Sequence, residues 1–450
     1  VPQHNIEGWL FVVKTTGLYD IYEKEKSTAK SQEVAMISKS QIETLVKESA
    51  FGTDTPASQK EIRRMAAEAG IYPASIQALY EKIGRGQYSG FTVPAINLRG
   101  ISYDMARAAI RAALNDQVGP VIFEIARSEM SYTLQTPGEF AAMVMAAALK
   151  EGYKGPLFIQ GDHFQIRRKN FSNEPQKELD FVRSLIKQSI EAGFYNIDID
   201  ASTLVDIDKA DLAEQQLNNG KITAEMTQYI RSIQPDGITV SVGGEIGEIG
   251  AGNSTVEDLK AFMHRYQEHL PSGLQGISKI SVQTGTTHGG IALPDGTIAK
   301  VKLDFDTLQK LSKMAKTEYG MGGAVQHGAS TLPDELFDMF PKVGTLEIHL
   351  ATGFQNIVFD SPNFPADLMA KIQTGLTAKY PAERKAGDTD TQFYYSTRKR
   401  AFGDFKQELW NLPAATLQKI GEELEERFAL LYRKLNLAGT RNVLDEVYPA

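Results

Sequence analysis

The chain predicts an α/β protein built as a (β/α)8 TIM barrel with helical extensions at both ends, on three observations. From about residue 90, short apolar, β-branched runs alternate with amphipathic stretches, and eight such units fit within about 280 residues. No GxGxxG turn follows the first run, which disfavours an open doubly wound sheet, the competing architecture. Four of the seven histidines stand where a strand gives way to a glycine-rich turn. In a barrel of parallel strands such ends converge on one mouth, where these folds carry their chemistry.

The elements follow in order. Residues 1–88 read as a mainly helical N-terminal extension, with a short strand at Trp9–Val13. Within it, Ser58-x-x-Glu61 reads as a capping box opening a helix with Ile62, Met65, Ala66 and Ala69 on one face and Gly70 at its end; Pro73 opens another helix that stops near Gly84. The barrel occupies 89–397, with strands near 90–97, 119–126, 156–162, 194–200, 238–245, 277–284, 322–327 and 343–350. Their apolar, β-branched character is that of strands covered by helices. Helices fit at 101–115, 137–150, 176–192, 206–232 (interrupted), 255–269, 304–318, 333–340 and from about 363. Residues 398–450 hold C-terminal helices carrying Trp410, Leu412, Leu417, Ile420 and Leu424.

Composition narrows the function. A formal charge of −8 argues against nucleic acid or an anionic membrane as a general partner, and no run approaches the roughly 20 apolar residues of a membrane span. No secretory signal is visible at Val1-Pro2-Gln3-His4, so cytoplasm is the expected compartment. Without cysteine, a transition-metal site must be built from His, Asp and Glu.

The run Leu157–Phe164 ends in Asp162-His163, a pair that is costly to bury without partners. The strand ends together supply Asn97, Asp162, His163, Asp198, Asp200, Glu245, His288, His327 and His349. Three neutral imidazoles with an open fourth position make a catalytic zinc site. Zinc there would polarise a substrate carbonyl and stabilise an enediolate, and a carboxylate such as Asp162 would shuttle the proton. A single strand-end histidine is usually structural; several on separate strands, each beside glycine, favour a metal. Thr284–Gly290 and His327–Ser330 are glycine-rich loops whose backbone N–H groups suit a phosphate, though such glycines also simply permit tight turns.

Six segments in order carry a resemblance: Phe91–Asn97, Gly161-Asp162-His163, Ile199-Asp200-Ala201-Ser202, Gly244-Glu245-Ile246-Gly247, Gly285-Thr286-Thr287-His288-Gly289 and His327-Gly328-Ala329-Ser330. Over roughly 88–410 the chain resembles the class II, zinc-dependent fructose-bisphosphate aldolases. The resemblance implies a cytoplasmic lyase of glycolysis and gluconeogenesis, forming a homo-oligomer and acting on a phosphorylated sugar. Its reaction would be reversible cleavage of fructose 1,6-bisphosphate to dihydroxyacetone phosphate and glyceraldehyde 3-phosphate. It implies His163, His288 and His327 as Zn2+ ligands, Glu245 as a further metal partner, Asp162 as the proton-exchanging residue and Asp200 as polar support. Asn97 joins the substrate-binding set, and Gly289, Gly328 and Ser330 would hold the phosphate end, near which the family often places a monovalent cation, Na+ or K+. Basic residues of the C-terminal region, here Arg398 and Arg400, would bind the distal phosphate.

The chain departs from the family in two places. His349-Leu350-Ala351-Thr352-Gly353 replaces an Asn-Ile-Asp-Thr-Asp-like run, so His349 takes the place of a substrate-touching Asn while Thr352 preserves a phosphate contact. The acidic loop that supplies the family's carbon base is short here, and Glu248, its only acid, would be the catalytic base. These departures support an alternative: a related metal-dependent aldolase or epimerase for tagatose 1,6-bisphosphate or another ketose. A non-catalytic aldolase-like subunit has no physical need for Asp162 and all three histidines. A lysine Schiff-base aldolase is weakly supported, since Lys279 lies at the wrong end of its strand.

Overall fold

The structure is a computed structural model that describes residues 40–247, 252–285, 293 and 303–449. The expected Trp9–Val13 strand, and with it Glu248, His288 and Gly289, lies outside the described residues. A short strand, β1 (Ile71–Ala74), precedes eight others: β2 (Val93–Asn97), β3 (Ile122–Ala126), β4 (Gly155–Gln165), β5 (Asn196–Asp200), β6 (Ser241–Glu245), β7 (Lys279–Val282), β8 (Ala324–Gln326) and β9 (Glu347–Leu350). Strands β2 to β9 pair in chain order, all parallel, and β9 returns to β2, so the sheet closes on itself. This is a (β/α)8 TIM barrel, and each barrel strand falls on one of the eight expected runs.

The N-terminal extension differs from its sequence reading in two places. Its helix begins a turn before Ser58: Thr55–Glu68 is capped by Asp54, whose Oδ1 accepts from Ala57 N at 3.2 Å, while Ser58 lies inside the helix with its hydroxyl turned to Asp54 O. Asp54 followed by Pro56 in the first turn is the stronger start signal. Pro73 opens no helix but sits in β1, and the helix runs over Gln77–Gly84. Proline lacks the ladder N–H and is tolerated because β1 is an edge strand, paired only with the start of β4. Where β4 passes from β1 to β5, Asn196 joins the three, donating to Ala74 O and Ile159 O and accepting from Ile76 N at 2.8 Å.

The extension therefore closes the N-terminal end of the barrel. Ile76, Leu79 and Ile83 pack with Phe158, Leu346 and Leu444, and the fully buried Tyr80 donates its hydroxyl to Glu347 inside the barrel. On the outside, the helix Ala414–Lys434 lies along Ser102–Asn115, held by Tyr432 Oη donating to Ala109 O and by Arg111 paired to Glu425 at 2.6 Å. Among the described residues no helix is long and apolar enough to cross a membrane. With one end plugged, the C-terminal mouth is the open end of the barrel.

Candidate metal centre and substrate cavity

Strand β4 sets up the site through an irregularity. Its register against β5 shifts between Gly161 and Phe164, and His163 takes a left-handed φ of +40°, which a non-glycine residue rarely adopts. In a regular strand Asp162 and His163 would point to opposite faces; the bulge turns both to the mouth. His163 Nδ1 then lies 3.2 Å from Asp200 Oδ2 and 3.1 Å from Glu245 Oε2, at the ends of β5 and β6. Its ring is 4.4 Å, centroid to centroid, from that of His327, which follows β8, and His327 is 4.0 Å from the ring of His349 on β9. Ser281 Oγ, 3.0 Å from His327 Nε2, orients the central imidazole.

Donor atoms of Asp162, His163 and His327 all lie within 4.8 Å of one another, as do those of His163, Asp200 and Glu245. Imidazoles mixed with carboxylates form a donor set for a divalent ion, so the residues present fit the metal that the sequence implies. Electrostatics agree. Although burial opposes it, Asp162, Glu245 and Asp200 raise the pKa of His163 well above that of a free imidazole. Three carboxylates around a half-buried imidazole favour positive charge at this point.

Below the mouth the barrel interior is polar. Lys279 Nζ lies 3.0 Å from Asp198, 2.5 Å from Glu347 and 2.7 Å from Gln160 Oε1. Gly243 on β6 makes the room: a Cβ there would come within 2.3 Å of Asp198 Oδ1. Glu347 also accepts from Gln160 and lies 2.6 Å from His349 Nε2; Lys279 and His349 overcome burial and hold its pKa down at about 2. Burial, reinforced by Asp162, pushes Glu124 up to about 7. Sequence reasoning missed Glu124, Gln160 and Glu347. Their signal was present, for Glu124 and Glu347 interrupt apolar strands at inward positions.

A cavity of about 990 Å³ opens above the histidines. Asn97, Glu124, Asp162, His163, Asp200 and Glu245 lie among its acidic and polar lining, with Gly328, Ser330 and Thr352 to one side. Thr352 begins the helix Thr352–Asp360, and Ser330 Oγ accepts from Ala351 N at 2.6 Å. Gly353 permits this approach, because a Cβ there would meet Ser330 O at 2.8 Å. Asn97 donates to Glu129 Oε2 at 2.5 Å, and Arg99 is clamped by Glu129, Asn97 and Gln355.

Arg398 and Arg400 do not line the cavity. Arg398 is buried, with its guanidinium 2.5 Å from Asp360 and 2.6 Å from Asn356, and Arg400 pairs with Glu383 at 2.5 Å. Lys399, between them, does line it. Lys399 makes no salt bridge among the described residues, and burial together with Arg99 and Arg400 lowers its pKa. Residues flanking a basic run at alternate positions of a turn face different ways, which sequence spacing alone did not resolve.

Residues 77–408, well over half of the chain, match the family model described as fructose-bisphosphate aldolase class II. The chain belongs to this family. A fructose-bisphosphate aldolase from Giardia intestinalis is 23% identical over 266 residues, which span 59% of this chain and 69% of that protein. Among solved structures, a probable tagatose 6 phosphate kinase from Sinorhizobium meliloti 1021 superposes with a TM-score of 0.53 at 15% identity, covering 79% of this chain and 99% of that one. A glycerol-complexed fructuronate-tagaturonate epimerase from Cohnella laeviribosi gives 0.52 at 12% identity, covering 86% and 85%. At these identities the likeness to the two structures is one of fold. Membership of the aldolase family implies a metal-dependent lyase and a phosphorylated sugar substrate.

Proposed function

We propose that this class II family member is a zinc-dependent aldolase that reversibly cleaves fructose 1,6-bisphosphate to dihydroxyacetone phosphate and glyceraldehyde 3-phosphate. The observation that carries the reading is the convergence of Asp162, His163 and His327 at the base of a cavity with a basic residue, Lys399, on its wall. His163 and His327 would hold the metal, with His288 as the third imidazole by family resemblance. When bound, the ion supplies Lewis acidity beside the ketose carbonyl.

The chain's own residues account for the rest. In cleavage Asp162 takes the proton of the C4 hydroxyl, the C3–C4 bond breaks, its electron pair moves toward the C2 carbonyl, and a proton, from Glu248 by family resemblance, is delivered to C3; synthesis runs the same proton transfers in reverse. Asp200 and Glu245 orient His163 from the opposite side. The N-terminus of Thr352–Asp360, with Gly328 and Ser330, receives the phosphate next to the carbonyl. Lys399, rather than Arg398 or Arg400, meets the distal phosphate.

His349 supports a second reading, a related aldolase or epimerase acting on tagatose 1,6-bisphosphate or another ketose, because by family resemblance it replaces an Asn that touches substrate. One assay separates the two. Cleavage of fructose 1,6-bisphosphate should disappear with chelator and return with zinc; zinc-loaded protein that is inert on fructose but active on another ketose selects the second reading. Full activity in chelator defeats both.

A further inference from the structure

The helix Phe305–Tyr319 gathers lysines on one side. Lys310, Lys313 and Lys316 recur at every third position, and with Lys342, the last residue of the helix Met339–Lys342, they line a groove of about 570 Å³. The groove lies on the outside of the barrel, toward its closed N-terminal end. Gly320 leads from the first helix toward β8, and Gly344 from the second toward β9. No carboxylate lines it, and it shares no residue with the catalytic mouth.

In a chain of formal charge −8 such a set stands out. Cations on other helices find a carboxylate three residues away: Lys177 pairs with Glu174 and Arg265 with Glu268, each at 2.9 Å, and Lys419 pairs with Glu422 at 2.7 Å. Among the described residues none of the four groove lysines makes an ion pair or a side-chain hydrogen bond. Like charges one turn apart repel. Helix dipoles account for only part of the set. Lys316 and Lys342 stand in last turns, where about half a negative charge gathers at a helix end, and the effect fades beyond that turn. Two such ends offset at most about one of the four positive charges. Lys310 and Lys313 lie too far back along their helix to benefit.

Lys316 is held in place by its surroundings. Its stem passes over two glycines: a Cβ on Gly323 would lie 3.0 Å from Lys316 Cε, and one on Gly344 would lie 3.9 Å from Nζ. Ser312 Oγ donates to Gly344 O at 2.6 Å and accepts from Ala324 N at 3.2 Å, which ties the floor of the groove to β8. The side chain is half-buried, and burial lowers its pKa. With no carboxylate beside it, an anion in the groove would stabilise its charged form.

We propose that this groove binds a small anion carrying several phosphate groups, at a site separate from the catalytic mouth. From Lys310 to Lys316 the helix rises about 9 Å, a length that suits a short run of phosphates held among four ammonium groups. Lysine meets phosphate as a point charge without fixed geometry, so the set selects for charge density more than for shape. The negative charge of the whole chain disfavours an extended polyanion such as nucleic acid or an anionic membrane. Because groove and mouth have no residue in common, binding at one is measured independently of the reaction at the other.

Inorganic triphosphate serves as the probe. Acetylation of the full chain, read lysine by lysine by mass spectrometry at physiological ionic strength, should be suppressed by triphosphate at Lys310, Lys313, Lys316 and Lys342 and unchanged at Lys177. Lys316→Met should raise the triphosphate concentration needed to protect the other three by about 10–100-fold. Should that variant not fold, Lys313→Gln on the exposed face should raise it by about 10-fold. Suppression at Lys399 in the mouth without suppression in the groove overturns the proposal. Equal suppression at Lys177 does so too, since it marks diffuse screening, and so does unchanged protection in both variants. Protection by vesicles of anionic phospholipid but not by triphosphate also overturns it, assigning the lysines to a membrane surface.

Discussion

His163 and His327, from strands on different sides of the barrel mouth, bring their rings to a centroid separation of 4.4 Å. The pair forms only in the closed barrel. Replacing His327 by Ala removes a ligand while leaving the β8–β9 ladder intact. We expect loss of bound zinc and a fall in ketose cleavage of at least about 100-fold, checked by metal analysis and a coupled aldolase assay. Retained zinc and turnover would remove His327 from the centre.

Asp162 is expected to act on protons. Asp162→Asn keeps the shape and the hydrogen-bonding oxygen but not the base. Cleavage should fall by about 10²–10⁴-fold, with zinc retained on the histidines and KM little changed. Steady-state kinetics beside zinc analysis decide the point, and near-normal kcat contradicts the role.

Lys279 is expected to be structural. Its ammonium holds Asp198 and Glu347 together in the closed interior. Lys279→Met strands buried carboxylates and should destabilise by about 3–5 kcal/mol, read by urea denaturation. Borohydride added with substrate should leave the unmodified enzyme active; inactivation there would instead signal a Schiff base.

Lys399 and Arg398 should separate binding from stability. A charge-assisted hydrogen bond contributes about 1.5–3 kcal/mol, so Lys399→Ala should raise KM for a bisphosphate by roughly 10–100-fold with the fold unchanged. Arg398→Ala breaks the ion pair to Asp360 and should lower the melting temperature with little effect on KM. The reverse pattern would return the distal phosphate to Arg398.

Glu139 gives a pH dependence away from the site. Burial, opposed by Lys406, pushes its pKa from 4.5 up to about 7. A carboxyl whose folded pKa is raised binds its proton more tightly in the folded state, so its contribution is full below pH 4.5 and is lost as pH rises to 7. The span corresponds to about 3 kcal/mol at most. Glu139→Gln should flatten the fall in stability between these values, measured by denaturation at several pH values; an unchanged slope excludes Glu139 as its source.

Local pattern made the barrel legible. Each of the eight strands lies on an apolar run read from the sequence, because helix-covered strands must be apolar and the helices between them must be amphipathic. Strand β1 escaped notice because four residues containing a proline show no periodicity, and only β4 gives them a partner. The Ser58 capping box looked sound because Glu61 has the right spacing; Asp54 and Pro56 take the start of that helix instead.

The residue types of the centre were evident from the chain alone: histidines and acids at strand ends have no reason to be there unless something binds them. What only the tertiary structure decided is how they are aimed. A bulge at Gly161–Phe164 turns two successive side chains the same way, Lys399 rather than its neighbours faces the cavity, and Glu347 aligns His349 from within the barrel. Such directions depend on backbone torsion and on distant partners, and neither is written in the spacing of residues along the chain.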